Sequence, residues 1–459
     1  MRPYKVLLFI VGVFCGLAVL CAVSPGTFSV AGLELRWPTM KSVLGSEEKQ
    51  SLEDYLADLD YSLEEENSTQ ELATDTIDSI SSAQPAPVAI PLVQVDSTTD
   101  TRIFLQRFYA SLAHTDERTV RVMHYGDSQI EEDRMTQQIR EELQKRYGGS
   151  GVGLMPLLQT IPANTVRQEL QMNGHIIKAS QAQQGPMRYM VHGPQKMRRK
   201  DGLYGMMGQV AIMADSLKAG SEDIIAICKP QVPSAHYSTW RVFADSTVHY
   251  TYSGDTMHLT GHGAVYGLSQ QTDTGVIVDN IPMRGCLGTV FTKMDSTQLA
   301  TFYREQNVQL IIMQFGGNAI PSNEKPETIR GFVKGYREQV QYLRRCAPGV
   351  SILFIGPSDM MRLNEGEWQT YPMVAYMDRL LQKMAREENI AYFSLYDWMG
   401  GAGSMLRWQE DGLASADGVH FYRSGARKAG NAVAAWILEG MTIDQSSITD
   451  DQLPRTNHQ

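Results

Sequence analysis

From about residue 101 onward, short runs of apolar residues alternate with longer stretches in which apolar positions recur at helical spacing. Val120-Arg121-Val122-Met123, Val308 to Phe315, Ser351 to Ile355 and Ile390 to Leu395 have strand length and no regular polar face, which predicts strands covered on both sides. Between them Met135, Ile139, Leu143 and Tyr147 recur every four residues, and Ile329, Phe332, Val333, Tyr336, Val340 and Leu343 trace one helical face. Met373, Met377, Leu380, Leu381 and Met384 trace another, and Ala426, Ala429, Val433, Trp436 and Ile437 define the last helix. Strands alternating with helices predict a parallel sheet with helices on both faces, a three-layer α/β/α fold.

This rhythm is lost between residues 162 and 273, where Val248, Tyr250 and Tyr252 alternate, Ser253-Gly254-Asp255 supplies a turn, and Met257 and Leu259 resume beyond it. That is hairpin patterning, and the segment reads as an inserted β-rich module. Its aromatics, among them Tyr237, Trp240, Tyr250, Tyr252 and Tyr266, read as core first and as sugar-stacking groups second. The α/β domain is then expected over 101–161 and 274–440, followed by a polar tail over 441–459.

Ahead of residue 101 the pattern changes twice. Met1-Arg2-Pro3-Tyr4-Lys5 places positive charge before an uncharged apolar run from Val6 to Val23, so residues 1–25 read as a signal anchor, or alternatively as a signal peptide. Residues 26–100 are rich in Asp and Glu and then in Ser, Ala, Pro and Thr, the composition of a linker. The expected location is extracytoplasmic, with the N-terminus holding the chain on a membrane. A net charge of −10 over 459 residues, with no sizeable Lys/Arg cluster, speaks against a nucleic-acid partner. Cys15 and Cys21 fall in the apolar run, leaving Cys228, Cys286 and Cys346 too few and too scattered for a disulfide framework.

Reactive groups of an open parallel sheet gather where strands end and loops lead into helices. Three such places carry suitable residues. His124-Tyr125-Gly126-Asp127-Ser128-Gln129 follows the first strand, and its serine N–H at a helix start can stabilise an oxyanion. Gln314-Phe315-Gly316-Gly317-Asn318 ends another strand and offers an amide donor, and Asp417-Gly418-Val419-His420 precedes the final helix. A serine needs a base, and the base needs an acid to fix its tautomer; Ser128, His420 and Asp417 fill these roles. His258 and His262 share a strand face but lack a third ligand, so no metal is expected. His124 reads as an orienting group beneath the serine, Asp127 as the cap of its turn, and Arg284 as a solvated side chain.

Taken in order, these blocks resemble the SGNH (GDSL-like) hydrolase superfamily. Gly126-Asp127-Ser128 matches the nucleophile block, Gly316-Gly317-Asn318 the asparagine block, and Asp417 and His420 the acid–base block. Gly285, in Pro282-Met283-Arg284-Gly285, is the best match to the glycine whose N–H joins the oxyanion hole. Ala319 stands where an Asp often follows the asparagine, and no Gly-x-Ser-x-Gly elbow is present. A β module between the serine block and the glycine block is similar to that of bacterial peptidoglycan O-acetylesterases, where it looks like a carbohydrate-binding domain.

The resemblance implies a serine esterase that removes acetyl groups from an envelope or extracellular glycan through an acetyl-serine intermediate, without a cofactor. Ser128, Asp417 and His420 would form the triad, and Ser128, Gly285 and Asn318 the oxyanion hole. The insertion is expected to act on polymeric substrate while leaving small esters to the α/β part. Two alternatives stay open: a polysaccharide O-acetyltransferase with the same triad, supplied by a membrane acetyl-transfer partner, and a non-catalytic glycan-binding envelope protein.

Overall fold

The structure, a computed structural model, describes residues 100–159, 163–172, 175–177, 188–190, 211–214, 224–231, 239–244, 248–261, 263–294 and 296–442, with 27–30, 33–36 and 93 nearer the N-terminus. The chain divides into units Met1–Ser81 and Ser82–Gln459. In the first, Thr27–Val30 pairs antiparallel with Leu33–Arg36, so the expected linker carries a short hairpin. The expected anchor, and with it the membrane-bound location, is corrected: among the described residues no helix is long and apolar enough to cross a membrane. The apolar run at 6–23 that suggested it lies outside the described residues.

In the second unit five strands form a wholly parallel sheet: β1 (Thr119–Gly126), β2 (Gly275–Pro282), β3 (Val308–Gln314), β4 (Ser351–Ile355) and β5 (Ala391–Phe393), ordered β2-β1-β3-β4-β5. Successive side chains of a strand point to opposite faces. Met123 and Tyr125 of β1 therefore enter one core and Val120 and Val122 the other. The first core is covered by α2 (Ser296–Glu305), α3 (Pro326–Cys346) and α4 (Val374–Glu387), the second by α1 (Thr136–Tyr147) and α5 (Arg423–Glu439). This is the expected three-layer arrangement. Strand order reverses between β1 and β3, and in such sheets a crevice forms beyond the strand ends at that point.

Between α1 and β2 the chain builds two antiparallel five-stranded sheets. One contains Gly153–Met155, Thr239–Ala244 and Gly263–Gln271, the other Val166–Met172, Ile224–Pro230, Val248–Ser253 and Thr256–Gly261. Met155, Trp240 and Leu268 from the first share a core with Leu170, Met257 and Leu259 from the second. Tyr250 and Tyr252 depart from the core-first reading and are exposed: on their edge strand only Val248, the first residue of that face, reaches the module's core. The side chains of Tyr237 and Tyr266 lie outside the described residues.

The insertion is joined to the parallel sheet by a buried polar network. The Arg121 guanidinium on β1 donates to both carboxylate oxygens of Asp279 on β2 (2.7 and 3.0 Å) and also to Gln271 Oε1 (2.8 Å) and Ser269 Oγ (3.0 Å) of the insertion. Asp279 in turn accepts from the Leu154 N–H at 2.8 Å. Arg121 and Asp279 are fully buried, so each charge depends on these partners.

Candidate functional site

Asp127 caps a six-residue 3-10 segment, Ser128–Asp133, with its Oδ1 accepting from the Gln129 N–H at 3.0 Å. The long helix expected directly after Ser128 begins only at Thr136, because Glu131 takes an extended conformation and Glu132 and Asp133 have φ of 59° and 61°. Left-handed backbone at two consecutive non-glycine residues is costly and needs support. Asp133 supplies it: the carboxylate is buried, accepts from Arg140 Nη1 at 2.6 Å and takes a hydrogen bond from Thr165 Oγ1 at 2.7 Å.

The three residues expected to act together meet at the carboxyl ends of β1 and β3. Ser128 Oγ lies 2.9 Å from His420 Nε2, and His420 Nδ1 lies 2.8 Å from Asp417 Oδ2. Asp417 Oδ1 also accepts from the N–H groups of Val419 and His420, each at 2.9 Å. Partial burial opposes ionisation of Asp417, but the His420 N–H, its ring and the Val419 N–H outweigh this and hold the carboxyl below the usual range. An ionised Asp417 keeps the proton on Nδ1 and leaves Nε2 free to accept one from Ser128. Gly418 makes the tight loop possible: its φ is +73°, and a Cβ there would lie 2.8 Å from the Met361 carbonyl oxygen and 2.9 Å from the Trp368 ring.

Asn318 lies in the short turn Gly317–Ala319 after β3, and with Asp127, Ser128, Pro357, Ser358 and Met360 it lines the cavity beside the serine. Its Nδ2 donates to Asp127 Oδ2 and to the Cys286 carbonyl, both at 3.2 Å, so an oxyanion would have to take over one of these hydrogens. Gly285 has a φ of +70° in the turn after β2, one residue before the Cys286 carbonyl that Asn318 reaches. Its neighbour Arg284 is held more firmly than a solvated side chain, donating through Nε and Nη2 to the buried Glu131 carboxylate at 2.6 and 2.7 Å. His124 is buried between Thr136 Oγ1 (2.9 Å) and Gln314 Oε1 (3.1 Å), and burial lowers its pKa to about 3, so the ring is neutral.

Two residues escaped sequence reasoning. Gln129 Nε2 donates to the Val419 carbonyl at 2.7 Å and Arg134 Nη1 to the Phe421 carbonyl at 3.1 Å, so the backbone on either side of His420 is tied to the serine segment. Arg134 Nε also donates to the Glu131 carbonyl at 2.9 Å. Both are positioning residues for the Ser128–His420 contact.

Burial raises the Asp127 carboxyl from 3.8 to about 6, against the Gln129 N–H and the positive field of His420. The folded protein thus binds more protons than the unfolded chain between these values, and its stability falls as pH rises through that window. Asp127→Asn has no such charge to bury. Its stability relative to the parent should therefore grow by about 2 kcal/mol between about pH 4 and pH 7, while its esterase activity drops because Asn318 loses its carboxylate partner. Urea midpoints of both proteins across that range provide the test, and a difference independent of pH would count against a buried charge at this position.

Among known proteins, the GDSL-like lipase/acylhydrolase family model matches residues 238–428, a span that includes Asn318, Asp417 and His420 and begins after Ser128. A solved peptidoglycan O-acetylesterase is similar over 75% of this chain and 97% of its own, with 18% identity and a TM-score of 0.56. The carbohydrate acetylesterase Est24 from Sinorhizobium meliloti (15% identity, 36% of this chain and 79% of that one, TM-score 0.27) and the acetyl xylan esterase AlAXEase (13%, 36% and 80%, TM-score 0.27) are also similar. At these identities the first likeness is one of fold, and the other two add nothing to it. No curated protein matches the chain.

Proposed function

The chain belongs to the SGNH/GDSL-like hydrolase superfamily and is a serine hydrolase of the carboxylester class, and from that premise we propose that it removes acetyl groups from a glycan. The observation that carries the reading is the hydrogen-bonded series Ser128–His420–Asp417, with contacts of 2.9 and 2.8 Å, at the switch point of the sheet. In this mechanism His420 Nε2 takes the Ser128 proton as Oγ bonds to the acetyl carbon. The tetrahedral intermediate then expels the sugar oxygen, which receives that proton from His420. Water, deprotonated by His420, attacks the acetyl-serine and releases acetate and the free serine. The oxyanion is assigned to the Ser128 N–H, one Nδ2 hydrogen of Asn318 and the N–H of Gly285, the residue before the Cys286 carbonyl that Asn318 reaches.

Acetyl-glycan as substrate is supported by the fold shared with a peptidoglycan O-acetylesterase, which extends through 97% of that chain. The test is to incubate the protein with O-acetylated oligosaccharide and follow acetate and sugar species by mass spectrometry. Free acetate should appear in step with loss of acetyl from the sugar, and only with Ser128 present. Acetyl appearing on added unacetylated sugar faster than acetate is released would replace hydrolysis by transfer.

A further inference from the structure

Among the described residues five large hydrophobic side chains are exposed: Tyr250, Tyr252, Leu363, Trp368 and Tyr422. Two lie on an edge strand of the insertion; of the other three, Trp368 and Tyr422 flank the loop that carries His420, and Leu363 pairs with Trp368 across a hairpin. Tyr422 follows His420 by two residues and is 50% exposed. Met361–Asn364 and Glu367–Thr370 form a hairpin, in which Leu363 faces Trp368 across the strands. Both project from the face that rests on the His420 loop, since the Trp368 ring and the Met361 Cβ are the groups a Cβ at Gly418 would meet, at 2.9 and 3.3 Å. Clustered exposure of apolar groups beside the loop of a candidate base points to a binding surface, whereas single exposed residues are ordinary.

The hairpin is also held in place. Glu365 and Gly366 have φ of 50° and 88°, as a two-residue turn of the type that matches strand twist requires. At its base the Met361 N–H donates to the Gly418 carbonyl at 2.8 Å, and the buried Asp359 accepts from Thr370 Oγ1 and the Met405 N–H, both at 2.9 Å. The opposite face is polar: Arg362 is paired with Glu324, and Asn364 Nδ2 donates to Gln369 Oε1 at 3.3 Å.

The chemistry decides which end of an ester lies here. His420 must return its proton to the leaving oxygen, so the alcohol portion of the substrate sits against the His420 loop while the acyl group sits toward the cavity beside Asn318. We propose that Trp368, with Leu363 beside it, is the platform on which the sugar ring of the acetylated glycan stacks. A pyranose ring presents an apolar face of C–H bonds, and a fixed, exposed indole with an apolar neighbour across the strand offers that face a flat surface. The proposal rests on the acetyl-glycan reading and adds to it the residue that selects the sugar.

The test compares the parent, Trp368→Ala and Trp368→Tyr on an O-acetylated chito-oligosaccharide, on ethyl acetate and on ethyl octanoate, with acid release as the readout. Calorimetry follows binding of unacetylated chito-oligosaccharide to Ser128→Ala protein with and without Trp368→Ala. Losing the indole should lower the ratio of kcat/KM for acetylated sugar over ethyl acetate about tenfold, mostly through KM, with Tyr restoring most of it. Sugar affinity in calorimetry should fall by a similar factor. Equal losses on sugar and ethyl acetate would reduce Trp368 to a prop for the His420 loop, and a selective loss on ethyl octanoate would assign the platform to an acyl chain; either overturns the proposal. If acetylated sugar is hydrolysed and its ratio is unchanged in Trp368→Ala, the platform fails while the acetyl-glycan reading stands. If no acetate is released from the sugar, that reading fails and calorimetry decides: Trp368-dependent binding keeps the platform, and no binding removes it.

Discussion

Ser128→Ala is expected to lower kcat on a small aryl acetate by ~10⁴-fold or more, His420→Ala by a similar factor, and the double variant by no more than either single one. Non-additivity is the informative part. Ser128 Oγ and His420 Nε2 are 2.9 Å apart and serve one proton transfer, so removing either group removes the step. Neither change should unfold the protein, because Ser128 and His420 are both partly exposed and sit in loops whose backbone is held by other residues. Gln129 and Arg134 hold the His420 loop through the Val419 and Phe421 carbonyls without using either side chain. Steady-state kinetics with circular dichroism of each variant checks both halves. A His420→Ala protein with near-normal turnover would remove His420 from the mechanism.

Arg121→Met is expected to destabilise the fold by about 3–5 kcal/mol, the cost of leaving a buried charge without its partner. Asp279 would keep only the Leu154 N–H, Ser269 Oγ would lose its donor, and Gln271 Oε1 would keep only the Ser269 hydroxyl. Replacing both charges, Arg121→Met with Asp279→Leu, should recover much of the loss, because an apolar pair leaves no carboxylate stranded. Urea unfolding of the three variants measures this, and a single-variant loss below about 1 kcal/mol would mean that Asp279 is satisfied another way. The same network bears on the insertion. A chain lacking residues 162–273 would lack Ser269 and Gln271, so the insertion is a structural partner of the sheet and not the detachable accessory that its position in the sequence suggests.

The parallel sheet was legible because strands covered on both faces must be apolar throughout and amphipathic helices must repeat every three to four residues. The candidate reacting groups were legible by position, Ser128 and Asn318 just after the ends of β1 and β3 and Asp417 and His420 just before α5. Arg121 was visible as a charge inside an apolar run, yet its meaning depends on Asp279, Gln271 and Ser269, about 150 residues away, and no local pattern joins them. Gln129 and Arg134 act on backbone carbonyls nearly 300 residues distant, which leave no trace in residue type. The Met361–Thr370 hairpin was missed because its strands are four residues each and its turn, Glu365-Gly366, is not one of the common hairpin pairs. Trp368, one residue within it, takes its interest from Gly418, which only the folded chain brings near.

The most direct test of Ser128 as an activated nucleophile is labelling of the intact, folded protein with a fluorophosphonate probe, followed by mass spectrometry of its peptides. The expected result is one label per chain, on Ser128, lost in His420→Ala and after denaturation, because only a serine whose proton can pass to a base reacts. A folded protein that takes up no label, or takes it up on another serine, would contradict a Ser128–His420–Asp417 hydrolase.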